Sequence, residues 1–142
     1  MMISPLLTDF CRIYQGLDRD NLSQLKEVYS KDIEFVDAVD TMHGIDALTI
    51  YFEHLYQNMK YCRFIIENII EQNGQACIIW HMEYAHNKIN SGKMITVNGS
   101  SFLKFSDKID FHRDYADMGQ MLYEHLPVIG MVIKGIKNKV RT

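Results

Sequence analysis

Only two prolines and three cysteines occur in this chain of 142 residues. The cysteines, Cys11, Cys62 and Cys77, are odd in number and form no CxxC pair. That disfavours both a disulfide framework and a zinc cluster, and the three are read as small buried hydrophobes. Long apolar runs are missing too: the longest fall far below the roughly 20 residues that span a bilayer. Met1 to Phe10 lacks the basic start and apolar stretch of a secretory leader, so a cytoplasmic location is expected. Positive charge is scarce, with Lys+Arg 15 against Asp+Glu 18 and a net charge of −3, so no general field draws the chain to nucleic acid. What is abundant is apolar: 47% hydrophobic against 23% charged, the composition of a globular domain. A chain of this size buries about 68–70% of its unfolded surface without any covalent staple. One domain over residues 1–142 is expected.

Ser4-Pro5 sets a capping residue before a proline suited to the first helical position, and Leu6, Leu7, Phe10, Ile13, Tyr14 and Leu17 recur at helical spacing. Leu22, Leu25, Val28 and Tyr29 predict a second helix capped by Asp20 or Asn21, followed by a strand from Ile33 to about Val39. After His43-Gly44, the stripe Leu48, Tyr51, Phe52, Leu55 and Met59 predicts a third helix. From Tyr61 the period becomes strand-like, with turns at Asn73-Gly74, Asn90-Ser91-Gly92 and Ser106-Asp107. Four strands follow, Phe64 to Glu71, Ala76 to Asn87, Lys93 to Phe105 and Lys108 to Asp117, joined as an antiparallel meander. Asn98-Gly99 reads as a kink inside one long strand, because a hairpin there would orphan Lys93 to Val97. Met118 to Leu126 reads as a short helix stopped by Pro127. Residues 127–142 form an amphipathic extension in which Val132, Ile133, Ile136 and Val140 alternate with Lys134, Lys137, Lys139 and Arg141. It is expected to pack on the domain or a second subunit, because four charges on a short helix give only marginal membrane contact.

Helices first, then a helix and a run of strands, predict an α+β domain whose curved antiparallel sheet wraps around its helices. Three stretches make this more specific: Tyr29-Ser30-Lys31-Asp32-Ile33-Glu34-Phe35-Val36-Asp37, Met42-His43-Gly44-Ile45-Asp46-Ala47-Leu48, and Lys108-Ile109-Asp110-Phe111-His112-Arg113-Asp114-Tyr115-Ala116-Asp117. With the order of elements, they resemble the nuclear transport factor 2-like superfamily, which includes ketosteroid isomerase, limonene epoxide hydrolase and SnoaL-like polyketide cyclases. The resemblance covers residues 4 to 126. It implies a cone, open at one end, with a mostly apolar pocket between sheet and helices.

Alternation along the first strand puts Ile33, Phe35 and Asp37 on one face, so Asp37 ends an apolar row, where desolvation would favour its neutral form. The resemblance places Asp37 at the general base of ketosteroid isomerase. The competing reading is that Asp37 caps the turn over Val39 to Thr41. The isomerase's oxyanion tyrosine aligns with Ile13 and its second aspartate with Ser101, and Tyr14 lies about 100° further around the helix. Steroid isomerisation is therefore not expected.

On the last strand, His112 and Asp114 share one face, and Arg113, Tyr115 and Asp117 the other. The resemblance puts His112 and Asp114 in the pocket, Asp114 at the water-activating aspartate of limonene epoxide hydrolase. Hydrophobicity points the other way, because Ile109, Phe111 and Tyr115 lie with Arg113. Both faces are buried if the outer one meets a second subunit. His81 and Glu83 share a face and resemble the epoxide hydrolase's Arg-x-Asp pair, with a titrating histidine in place of a permanently charged arginine. Trp80, Met82 and Tyr84 on the opposite face are expected to pack. His81, Glu83 and His86 suggest a metal cluster, but His81 and His86 point to opposite faces.

Two hypotheses follow. In the first, the chain is a cofactor-free isomerase, cyclase or epoxide-type hydrolase acting on an apolar molecule. Asp37 and Asp114 are its acid/base pair, His112, His81 and Glu83 assist, and Ile33, Phe35, Phe52, Ser101 and Leu103 contact the ligand. In the second, it is a non-catalytic binding or dimerisation module. The partners expected are a small apolar molecule and a second copy joined through the sheet, with neither nucleic acid nor stable membrane association, and with no metal.

Overall fold

Pro5 stands at the first position of α1 (Pro5–Gln15), where its missing N–H leaves no bond unmade, and the Ser4 carbonyl accepts from the Leu7 and Thr8 N–H groups. The structure, a computed structural model, describes residues 3–121 and 129–141. Leu7, Phe10, Ile13 and Tyr14 form the buried face of α1. The expected second helix is instead a six-residue 3-10 helix, Leu22–Glu27. Its three-residue apolar spacing, Leu22, Leu25 and Val28, fits three residues per turn rather than 3.6. Asn21 does not cap it; the Asn21 side chain instead donates to the Gly16 carbonyl and accepts from the Asp18 N–H.

The sheet has six strands: β1 (Tyr29–Val36), β2 (Thr41–His43), β3 (Met59–Gln72), β4 (Gln75–His86), β5 (Ile95–Phe105) and β6 (Ile109–Ala116), in the order β2-β1-β6-β5-β4-β3. Helix α2 (Ile45–Gln57) lies between β2 and β3, and α3 (Met118–Met121) follows β6. The first strand starts at Tyr29 rather than Ile33 and stops at Val36. The segment read as a break before His43-Gly44 holds β2, which pairs antiparallel with β1. The sheet is not wholly antiparallel as expected, because β1 and β6 run parallel. Asn73 and Gly74, both with positive φ, make the two-residue turn between β3 and β4.

Gly99 lies within one continuous β5, opposite Trp80. A Cβ there would collide with the indole ring and approach the Tyr115 carbonyl oxygen to 2.7 Å. The single long strand is as expected, but its pairing with β4 runs through Gly99 without a register shift, and the glycine marks a place where an indole lies against bare backbone. The core runs between the sheet's concave face and α1 and α2, with Leu7, Leu25, Ile33, Leu48, Ile78, Leu103 and Ile109 fully buried.

The helix expected over Met118 to Leu126 is seen as Met118–Met121; the rest of it, with the stop at Pro127, lies outside the described residues. The C-terminal segment forms α4 (Ile129–Arg141). No described helix is long and apolar enough to cross a membrane.

Candidate functional site

The phase of β6 decides which residues reach the interior. Phe105 pairs with Ile109, but Lys104 pairs with Phe111, so β6 carries one extra residue there. This bulge resets the alternation. Ile109 and His112 both point inward although three positions apart, and Asp114 and Ala116 follow His112, while Arg113 and Tyr115 stay exposed. The conflict between hydrophobicity and resemblance disappears, since Ile109 is core on one side of the bulge and His112 on the other. No second subunit is needed to account for it.

His112 is 1% exposed and stacks 4.5 Å from the Phe35 ring, its partner across the parallel β1/β6 pair. Its Nε2 lies 2.6 Å from Asp114 Oδ1, and its Nδ1 lies 2.6 Å from the Tyr29 hydroxyl. The Tyr29 hydroxyl lies 2.5 Å from that of Tyr14. Asp114 Oδ1 also accepts from Ser101 Oγ at 2.5 Å, and Ser101 Oγ accepts from Trp80 Nε1 at 2.9 Å. A carboxylate oxygen only accepts, so the Nε2–H of His112 donates to Asp114. With a proton on Nε2, Nδ1 can accept from the Tyr29 hydroxyl, whose oxygen can accept from Tyr14. Burial pushes the Tyr14 and Tyr29 hydroxyls well above their usual ionisation range, so both stay protonated.

Asp114 faces a cavity of about 120 Å³. Its walls are aromatic and aliphatic: Tyr14, Phe35, Tyr51, Phe52, Phe64, Trp80 and Met82 among them, with Val39, Met118 and Met121. Asp37 and Asp114 are its carboxylates. A cavity of roughly 150 Å³ accepts a benzene-sized molecule, so this one takes about a single ring.

Asp37 caps the turn, as the competing reading has it, and also lines the cavity. Its Oδ1 accepts from the Val39 and Asp40 N–H groups, capping the turn, and its Oδ2 accepts from the Tyr51 hydroxyl at 2.5 Å while the residue lines the cavity. Burial first, then the bond to Asp37, pushes the Tyr51 hydroxyl far above its ordinary range. Phe35 and Phe52 line the cavity as expected. Ser101 reaches only a narrow side crevice of about 10 Å³ beside Asp114. Ile33 and Leu103 are wholly buried core residues and not among the cavity's lining.

His81 and Glu83 require correction. The buried row of β4 is Ala76, Ile78, Trp80, Met82 and Tyr84, so His81 and Glu83 project from the opposite face, away from the cavity. His81 Nδ1 lies 2.7 Å from Glu67 on β3. One side of a strand cannot present both sets, and burying Trp80 and Met82 outweighs burying an ionisable pair. Trp80 and Met82, read as packing, are cavity wall. Tyr14, set aside on helical phase, lines the cavity as well, while Ile13 is core. The sequence signal for β4 was its unbroken apolar alternation.

Solved structures with this fold are numerous. A protein of unknown function from Burkholderia pseudomallei, described as NTF2-like, superposes with a TM-score of 0.74 at 15% identity, over 84% of this chain and 95% of that one. A protein with a ketosteroid isomerase-like fold from Catenulispora acidiphila, in complex with trimethylamine, gives 0.72 at 14% identity, over 84% and 90%. TerC, co-crystallised with polyporic acid, gives 0.71 at 17% identity, over 81% and 93%. At such identities the likeness establishes the shared fold. No curated protein matches the sequence. The model of the SnoaL-like domain matches residues 10–110, well over half of the chain, and so the protein belongs to the SnoaL-like family within the NTF2-like fold.

Proposed function

We propose that the protein binds a small, apolar, ring-bearing molecule in this cavity and converts it by acid/base chemistry without a cofactor, with Asp114 moving the proton. The observation that carries the reading is the setting of Asp114: a carboxylate on an apolar cavity, with its hydrogen bonds from Ser101 and His112 both on Oδ1. Among the described residues Oδ2 has no protein donor, so it is the oxygen left to take a proton from a ligand. Ser101 and His112 hold the carboxylate's orientation, and the apolar walls strengthen its interaction with a ligand proton by excluding water. Isomerisation or cyclisation fits this arrangement better than epoxide hydrolysis, which would need a water shared with Asp37, whose oxygens already hold Tyr51 and the turn. The ligands of TerC and the Catenulispora protein support a small organic occupant.

Thermal-shift screening with single-ring terpenoid and polyketide-type compounds would find the ligand, since one at 100 times its Kd adds about 2.7 kcal/mol to the folded state. Asp114→Asn is then expected to keep binding and to lower turnover by about 10² to 10⁴. An unchanged rate removes Asp114 from the mechanism.

A non-catalytic binding module is the second reading, favoured by the engagement of both Asp37 oxygens, which leaves one carboxylate where a two-carboxylate mechanism needs two. Tight binding with no product formed would select it. The outer sheet face, where Lys104 lies over the Phe102 and Phe111 rings and Arg113 over Tyr115, is the surface we assign to a second copy. Phe111→Glu is expected to halve the mass seen in sedimentation if that copy is bound.

A further inference from the structure

Helix α4 leaves its apolar side to solvent. Ile129, Val132, Ile136 and Val140, at positions i, i+3, i+7 and i+11, fall on one face and are 51%, 56%, 56% and 83% exposed. Exposed apolar stripes of this kind mark a contact surface. Outside the stripe the helix carries Lys134, Lys137, Lys139 and Arg141 along with the exposed Met131, and no acidic residue occurs in 129–141, in a chain that is acidic overall. At 100° per residue, Lys137 and Lys139 fall on opposite edges of the stripe, with Lys134 and Arg141 beyond Lys137.

We propose that α4 docks on an anionic phospholipid surface, lying in the plane of the headgroups with Ile129, Val132, Ile136 and Val140 against the acyl boundary. Cations on both borders of an apolar stripe suit a layer in which anionic headgroups surround the inserted face on every side. Lysine stems lie along the apolar surface while their ammonium groups stay at headgroup level. A second copy docking through the same face would set lysines against lysines, because a two-fold contact pairs a patch with itself. At 13 residues the helix spans about 20 Å, which suits lying on a bilayer rather than crossing it. Four cations and a short stripe make the contact reversible and dependent on anionic lipid.

Vesicle flotation of the full chain tests this. The protein is expected to float with equimolar phosphatidylcholine and phosphatidylglycerol vesicles in about 0.1 M salt, and not with pure phosphatidylcholine. Raising salt to about 1 M, where the screening length shrinks to about 3 Å, should release at least fivefold of the bound protein. The double variant Val132→Glu, Ile136→Glu changes exposed side chains only, so its circular dichroism and melting should match the wild type while flotation falls about tenfold or more. The double variant Lys134→Glu, Arg141→Glu should lose binding to anionic vesicles with the apolar stripe intact. Equal flotation with both vesicle types, none with either, or unaltered binding by the Val132/Ile136 variant would overturn the proposal. So would a drop in that variant's oligomeric mass without wild-type flotation, which would assign the face to a second copy.

Discussion

Ser101 is the residue on which the site's hydrogen bonds converge, since one hydroxyl accepts from Trp80 Nε1 and donates to Asp114 Oδ1. Ser101→Ala strands a buried indole N–H and removes a donor from the carboxylate. Leaving a buried polar group unsatisfied costs about 1–3 kcal/mol, so urea unfolding should show a loss of that size. Gly99 acts beside it: any Cβ would strike the Trp80 ring. Gly99→Ala is expected to displace the indole, lower stability by about 1–3 kcal/mol and shift the fluorescence of the sole tryptophan. Asp37 was legible as a candidate because it ends an apolar row, and Asp114 through the family resemblance, against the hydrophobic pattern of its own strand. The network around Asp114 was not, because Tyr14, Tyr29, Ser101 and Trp80 lie 100, 85, 13 and 34 residues away and join it only through strand pairing and the packing of α1 on the sheet.

At the scale of elements, the bulge in β6 matters most. Strict alternation from Ile109 would turn Phe111 and Arg113 inward and His112 and Asp114 outward; the extra residue prevents this. Deleting Asp110, which is exposed, is expected to remove the bulge and leave His112 and Asp114 inward, because Ile109 and His112 then stand two positions apart as strict alternation requires. Thermal unfolding of that variant should stay cooperative; its loss would show that the bulge does more than set the phase. A sequence pattern does not announce a bulge of this kind. The β1/β6 parallel pairing was equally hidden, since its strands are separated by most of the chain and no turn signal joins them. By contrast, α1, α2 and the β3/β4 hairpin were legible, being set by a capping pair, an apolar stripe and Asn73-Gly74.

Across the whole molecule, the closed interior sets an alkaline limit. Burial pushes the Cys62 and Cys11 thiols up to about 11 from 9.0 and the Tyr84 hydroxyl to about 12 from 10.0. Between about pH 9 and 11 the unfolded chain releases thiol protons that the folded protein retains. Stability that is complete below pH 9 is therefore lost as pH rises towards 11. The two-unit shift at Cys62 corresponds to about 2–3 kcal/mol. Cys62→Ala is expected to flatten the decline in melting temperature over pH 9 to 11, beyond any constant offset from the altered packing.

The sequence by itself determined the class of fold, the place of Asp37 at the end of an apolar row and the amphipathic tail. Those rest on periodicities and turn chemistry that act within a few residues, whereas Asp114 was a candidate only through the family resemblance. Only the tertiary structure decided that the face shared by His112 and Asp114 points inward, that Trp80 and Met82 rather than His81 and Glu83 wall the cavity, and that Asp37 is already engaged by Tyr51. These depend on register and on which strands become neighbours. A one-residue slip exchanges every inward side chain for an outward one, and that choice is made by the burial energy of the whole sheet against its helices, not by any local stretch.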